Sequence, residues 1–476
     1  MAGGLMQLVA YGAQDVYLTG QPKVTFFQAV YKRHTNFAME NIQQTVNGTP
    51  SNSGRVSVTI ARNGDLVGDM YIALVPNAGN GNGTGLGLTS NNVGYDMCWV
   101  AERSVADIEL TIGGQRIDKH YQTWFRLYAE VFLSESDKIN YGKLVSSPSP
   151  ISDGTNRNYV YLPLLFFFNR NPGLFLPLIA LQYHEVRLDF DLTSYFTSYF
   201  GSSSPVFEVW ANYVYLDTEE RRRFAQKGHE YLIEQVQHTG GDSITASGSP
   251  GAQTIRLSYN HPVKELIWCY VNNSATSTNS MWNFSTSCAN VNVTVQASPL
   301  FQAGIMAHEA GCPRLFANSL TTGSASNIFW IEEGTAVAVG GGITGFTTNL
   351  SNVTTSNTAF PNNTSIFGQE VGPLYNFKVV LNGQDRFKEQ IGKYFNQYQP
   401  YVYHSGTPYP GIYVYSFALQ PEEHQPTGTC NFSRIDNAQV AINMKSGYTT
   451  TLQKMFAVNY NILRIQSGMG GLAFSN

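Results

Sequence analysis

Apolar and polar residues alternate one for one along several stretches of this chain. Val56, Val58 and Ile60 are separated by Ser57 and Thr59; Val186, Leu188, Phe190 and Leu192 by Arg187, Asp189 and Asp191; Ile255, Leu257 and Tyr259 by Arg256 and Ser258. A period of two sends every second side chain to the same face. Each run therefore reads as a strand with its apolar set on a core and its polar set in water. Asn63-Gly64-Asp65, Gly113-Gly114, Pro172-Gly173 and Asn382-Gly383 punctuate the runs as turns. Many short strands with long connections predict an all-β sandwich or barrel, not a doubly wound α/β sheet. Helix is scarce. One is predicted from Asp217, with Glu220 completing a capping box, through Phe224, and residues 121–145 form a second helical region.

At 476 residues the chain is long enough for two to four units of roughly 100–200 residues each. Charged residues make up only 13%, against about 25% in ordinary soluble domains. Such a surface suits a protein that hides much of itself against neighbours. The net charge of −4 speaks against direct, sequence-specific nucleic-acid binding, which calls for a basic excess. Cys98, Cys269, Cys288, Cys312 and Cys430 are scattered and odd in number, so they read as free thiols of a reducing compartment. Met1–Leu5 lacks a basic and apolar leader pattern, and no run approaches the 18 apolar residues of a membrane-spanning helix. A soluble product of the cytosol is expected.

The chain also repeats itself. Ile112–Arg116 is echoed by Leu381–Arg386, with Gln115 matching Gln384 at a spacing of 269 positions. Val67-Gly68-Asp69 resembles Val263-Lys264-Glu265 at 196, and Val186–Leu192 resembles Ala438–Met444 at 252. Their common order predicts a duplicated unit whose second copy carries a large insertion.

That insertion falls within residues 272–370. Its 99 positions hold five charged side chains, Glu309, Arg314, Glu332, Glu333 and Glu370, amid Ser, Thr, Asn, Gly and Ala. Seven of the ten N-x-S/T sequons lie here, at Asn272, Asn283, Asn292, Asn349, Asn352, Asn362 and Asn363. Turn-rich composition generates sequons by chance; the other reading is an exposed loop domain carrying glycans.

No constellation of nucleophile, acid/base and orienting groups emerges, so no catalytic, cofactor-binding or metal residues are expected. His184-Glu185 and His229-Glu230 lack the second histidine of a zinc helix, and His184 at a strand mouth reads as structural. Gly79, Gly81, Gly83, Gly85 and Gly87 match no phosphate-loop spacing and read as a flexible loop. Asp65, Asp69 and Glu102 are dispersed carboxylates of the kind usually solvated. Arg221-Arg222-Arg223 reads as a solvated helix face balanced by Glu219 and Glu220. For Lys32-Arg33-His34 a solvated face and contact with an anionic inner layer both stay open.

Several segments carry a closer resemblance: Gln7–Gly20 (QLVAYGAQDVYLTG), Arg62–Leu66 (RNGDL), Ile112–Tyr121 (IGGQRIDKHY), Asn171–Val186 (NPGLFLPLIALQYHEV), Gly428–Ala438 (GTCNFSRIDNA) and Ser467–Ala473 (SGMGGLA). Together, in collinear order, they resemble the major capsid proteins of the Chlorella viruses and their nucleocytoplasmic large DNA virus relatives. The likeness lapses in residues 77–97, 141–158 and most of 272–370. It implies two tandem eight-stranded antiparallel jelly rolls with long loops and a few short helices. It places an N-terminal arm at 1–24, the first roll at 25–216, a linker at 217–235 and the second roll at 236–476. It further implies a homotrimeric, pseudo-hexameric capsomer of an icosahedral virion assembled in host cytoplasm. The partners would be neighbouring capsomers, minor capsid and penton proteins and, indirectly, an internal membrane layer. Glycans in such relatives sit in contexts resembling Ala-Asn-Thr-x-Thr, which Ala317-Asn318-Ser319-Leu320-Thr321 approaches, adding Asn318 to the candidates. A jelly-roll lectin is the rival reading, and the missing leader and disulfides count against it.

Overall fold

A computed structural model describes residues 34–76, 99–146, 159–202, 204–244, 253–271, 372–406, 411–445 and 452–474, with Gly12, Phe27, Tyr31, Pro408 and residues 88–89, 92–93, 329–332 and 335–338. The chain forms two units, residues 1–38 and 39–476. The arm expected over 1–24 lies, but for Gly12, outside the described residues.

In chain order the first half supplies β1 (Phe37–Gln44), β2 (Arg55–Thr59), β3 (Leu66–Leu74), β4 (Val105–Ile112) and β5 (Gln115–Tyr121). After the helices α1 (Gln122–Phe132) and α2 (Glu135–Val145) come β6 (Val160–Pro163), β7 (Leu176–Pro177), β8 (Val186–Leu192) and β9 (Phe207–Leu216). Helix α3 (Thr218–Gln226) leads to the second half. There stand β10 (His229–Ser243), β11 (Gln253–Leu257), β12 (Pro262–Val271), β13 (Leu374–Leu381), β14 (Gln384–Asp385), β15 (Ile412–Ser416), β16 (Cys430–Asn431), β17 (Ala438–Met444), β18 (Leu452–Gln466) and β19 (Met469–Leu472).

The two halves repeat one topology. One sheet of the first half runs β1-β9-β3-β7 with β6 also on β3, and its counterpart runs β10-β18-β12-β15 with β16 on β12 and β19 on β18. The facing sheets run β2-β8-β4-β5 and β11-β17-β13-β14. Each pair is a jelly roll, so the fold is a double jelly roll. The registers reproduce the sequence echoes. Val186 lies opposite Ile112 as Ala438 lies opposite Leu381. Leu176 lies opposite Val67 as Cys430 lies opposite Val263. Gln115 and Gln384 each follow a two-residue turn and face Ile112 and Leu381. Both turns have two left-handed residues, Gly113 (φ 58) with Gly114 (φ 81) and Asn382 (φ 50) with Gly383 (φ 81). That is the twist a tight antiparallel hairpin requires, and Gly and Asn are the residues that adopt it cheaply.

Apolar residues fill each roll as the alternation predicts: Val56, Val58, Ile72, Leu110 and Leu188 in the first, Ile255, Leu266, Trp268, Val379 and Val440 in the second. Two details differ from the sequence reading. The region 121–145 holds two helices, and Asp217 caps α3 through its carboxylate to the Thr218 N–H rather than through a capping box. Within the span read as a linker, α3 is followed at once by strand from His229 onward. Ile233, Leu463 and Ile465 of the second half belong to the first roll's core. Of the insertion, one hairpin is described, Phe329–Glu332 against Thr335–Ala338.

Candidate assembly surfaces

The two rolls meet through α1. Its sequence is apolar on two sides: Phe125 enters the first roll's core, whereas Trp124, Leu127 and Val131 pack on the outer face of the second roll's sheet. That face presents Ile267 and Cys269 of β12, Ile412 and Val414 of β15, and Phe456 and Val458 of β18. Burial on both faces explains why Leu266–Val271 is apolar without alternation. Trp124 and Phe456 stand 5.6 Å apart, and Tyr121 meets His238 edge-on at 4.9 Å. Lys454 Nζ donates to Thr123 Oγ1 across the joint at 3.1 Å. Burial pushes the Cys269 thiol up to about 12, so it is an inert apolar side chain.

Buried charge fixes α1 in place. Arg126 pairs with Glu102 at 3.7 Å and Glu130 at 3.3 Å and lies over the Trp99 ring. Lys138 of α2 reaches Glu130 at 3.8 Å, and Tyr141 donates to Glu102 at 2.7 Å. Burial raises the Glu102 pKa despite Arg126. A second buried set ties the halves together. Glu234 accepts from Lys264 at 2.6 Å and from Arg170 at 3.1 Å, and these cations hold its pKa below the usual range although burial opposes them.

At the far end of α1 the second roll closes over the helix. His404 lies between Glu265 at 3.1 Å and Glu422 at 3.4 Å, its side chain wholly buried and its ring edge-on to Phe132. Gly406 N–H donates to Val131 C=O at 3.2 Å. A Cβ at Gly406 would sit 2.5–2.8 Å from the carbonyl oxygens of Val131, Glu130 and Leu133, so only glycine fits. The chain end does the same against the first roll. Gly470 meets the His184 Nδ1, and Leu472 N–H donates to Gln115 Oε1.

Two other apolar surfaces have no cover among the described residues. On the second roll Ile391, Tyr398, Tyr401 and Val402 are exposed, beside β13 and along the helical turns Tyr394–Tyr398 and Gln399–Tyr403. On the first roll the outer sheet face carries Tyr71, Tyr161 and Trp210, all partly exposed, with Tyr71 and Tyr161 edge-on at 5.6 Å.

The residues singled out in the sequence fall elsewhere. His184 is a structural hydrogen-bonding residue, and His229 Nε2 contacts the Phe224 carbonyl. Asp65 and Glu102 are not brought together as a site: Asp65 is buried and engaged by Arg221 at 3.0 Å and by Leu216 N–H. Arg221 stays on the solvated face assigned to it but pairs with Asp65 instead of a neighbouring glutamate, while Arg222 pairs with Glu219 on the same surface. His34 is exposed; Lys32, Arg33, the glycine-rich loop at 79–87 and every candidate asparagine, Asn272, Asn283, Asn292, Asn318, Asn349, Asn352, Asn362 and Asn363, lie outside the described residues. Sequence reasoning missed Trp124, Phe456 and His404. The apolar run Leu266–Val271 was the available signal for the joint.

Comparison with known proteins agrees with this architecture. Residues 220–471 match the family model for the large eukaryotic DNA virus major capsid protein, and residues 25–217 match that for the major capsid protein N-terminus. The chain is 41% identical to the major capsid protein of Paramecium bursaria Chlorella virus 1 and 38% identical to that of Phaeocystis pouchetii virus, each over the whole of both chains. It superposes on the PBCV-1 virus capsid structure with a TM-score of 0.69 at 37% identity, covering 95% of this chain and 100% of that one. The Faustovirus major capsid protein shares the fold, with a TM-score of 0.59 at 13% identity over 97% of this chain and 96% of its own. By full-length identity, family match and double jelly-roll topology, the chain belongs to the major capsid proteins of the large eukaryotic DNA viruses and builds the shell of the virion.

Proposed function

We propose that three copies of this chain form a pseudo-hexagonal capsomer that tiles an icosahedral shell assembled in the host cytoplasm, a structural role with no catalytic step. The observation that carries this is the repeated topology: two rolls of one strand order on one chain. Three such chains around a threefold axis present six similar rolls, so a trimer acquires a nearly sixfold outline and packs in a flat lattice. The low charge and the uncovered apolar surfaces supply the means of association, with an area above about 2,000 Å² expected for an obligate interface. The roll boundaries are taken at 25–216 and 236–476. Neighbouring capsomers, minor capsid and penton proteins, and indirectly a membrane layer, are the partners such a unit requires. Residues 272–370 are assigned to the outer face, with glycans on some of their asparagines, a reading supported by their low charge and crowded sequons.

Light scattering on the purified chain at micromolar concentration, neutral pH and moderate salt tests the assembly. The expected mass is three times 52.6 kDa. A monodisperse monomer would sink the reading. For the glycans, intact mass of virion-derived protein should exceed the chain mass by sugar increments.

A further inference from the structure

The joint inside the chain has counterparts of both its surfaces elsewhere on the molecule. Within the chain, the connection from β5 to β6 carries Tyr121 and α1 onto the outer sheet face of the second roll. The second roll has the same connection, from β14 to β15. Gln390 lies opposite Phe377 of β13 as His120 lies opposite Ile108 of β4, so Ile391 stands where Tyr121 stands in the first roll. Phe125 and Phe395 then each enter the core of their own roll. Counted from these two rings, the positions of Trp124, Tyr128, Val131 and Phe132 in the joint fall on Tyr394, Tyr398, Tyr401 and Val402, the first two of these in a π-helical turn where α1 is α-helical. Of that second set Tyr401 is 86% exposed, Tyr398 55% and Val402 46%, and Ile391 is 55% exposed. Among the described residues, nothing covers this equivalent of a buried docking surface.

Its receptor is duplicated as well. In the second roll Ile267 faces Phe456 on one side and Val414 on the other, and Cys269 faces Lys454 and Ile412. In the first roll Tyr71 faces Trp210 and Pro163, and Ala73 faces Glu208 and Tyr161. Tyr71, Trp210 and Tyr161 therefore occupy the places of Ile267, Phe456 and Ile412, three residues that α1 buries completely. The polar contact across the joint has a counterpart too. Lys454 and Thr123, hydrogen-bonded at 3.1 Å, correspond to Glu208 and Lys393. What is a lysine–hydroxyl contact within the chain becomes a pair of opposite charges, with Lys393 exposed.

We propose that the 391–402 segment of one copy docks on the Tyr71–Tyr161–Trp210 face of a second copy, with Lys393 against Glu208, so that the joint inside the chain is repeated between chains. This rests on the trimer reading and names its surfaces. Each chain then makes one joint internally and offers one half-joint at each end, and three chains close a ring of six rolls by a head-to-tail contact. The occupant is a second copy of this chain because the equivalent surface already seats on the corresponding sheet within one chain, and because exposed Lys393 is complementary to half-buried Glu208, whose carboxylate also accepts from Trp210 Nε1 at 3.1 Å.

Charge reversal tests the pairing. Glu208→Lys and Lys393→Glu, each confirmed as folded by near-ultraviolet circular dichroism, should each raise the monomer–trimer midpoint in sedimentation by about tenfold, and the double variant should return it to within about threefold of the unaltered chain. Independently of any weakening, the pair Glu208→Cys with Lys393→Cys should give covalent dimers and trimers on a non-reducing gel under mild oxidation, which neither single cysteine variant gives. If the unaltered chain is a trimer but the reversals leave the midpoint unmoved and the cysteine pair does not link, these surfaces are wrong and the trimer stands. If the unaltered chain is a monomer, both readings fall.

Discussion

His404 is held by two carboxylates in a place where water does not reach. Burial alone would disfavour its charged form, but Glu265 and Glu422 outweigh burial and lift the imidazole to about 9. His238, on the same joint between Tyr121 and Phe456, has no such partner, and burial drives it down to about 4. The two act on stability with opposite signs. The contribution of His404, about 3 kcal/mol for a shift of this size, is complete below pH 6.5, the ordinary histidine value, and is lost as pH rises through 9. That of His238 is complete above 6.5 and is lost as pH falls through 4. Thermal scans are therefore expected to show Tm highest near pH 6.5 and falling on both sides, with His404→Asn flattening the alkaline limb. An alkaline limb as steep in His404→Asn as in the unaltered chain would refute the assignment. Neither role was legible in the sequence: Glu265 lies 139 positions before His404, and the rings that bury His238 come from Tyr121 and Phe456, far from it along the chain.

Among the elements, β10 and β18 reach furthest. At 15 residues each they extend roughly 50 Å, and their paired segments at His229–Gln235 and Asn459–Ile465 run on beneath the first roll. Leu463 is fully buried there. Leu463→Ala should lower stability by about 2–5 kcal/mol, and because the residue serves both rolls, calorimetry should show one transition shifted down and not a second one split off. Two separate transitions would mean that the rolls unfold independently. Strands of this kind mark the limit of reading by period. Val56–Ile60 and Val186–Leu192 cover a core with one face and meet water with the other, so their pattern was plain. In β12 both faces are covered, and its continuous apolar run tells of burial without telling what lies on the second side. The turns were legible in full, since Gly113-Gly114 and Asn382-Gly383 are chemical requirements of the hairpin geometry. The glycines at 406 and 470 were not, because what excludes a side chain there is distant backbone or side chains.

For the whole molecule, the duplication was visible as three faint echoes, and the strand registers show why they survived: each lies at a place where a strand of one sheet must meet its neighbour in step. The insertion at 272–370 carries no such echo of the first half in its sequence. Replacing Thr335–Ser365 with a short Gly/Ser linker should change the unfolding free energy by no more than about 1 kcal/mol and leave trimers forming, since loop closure varies only logarithmically with length. Insoluble or monomeric protein would place that segment in the interface. The joint through α1 has one more consequence. The stretch Asp217–Gly228 tethers its two halves, so the first roll meets the second at an effective concentration in the range of millimolar. The same surface chemistry offered between separate chains has only the concentration the infected cell provides. On the proposed docking, one set of contacts would yield two regimes: a joint that closes as the chain folds, and another that closes only when enough chains have accumulated, so that the timing of shell construction would follow the rate of synthesis.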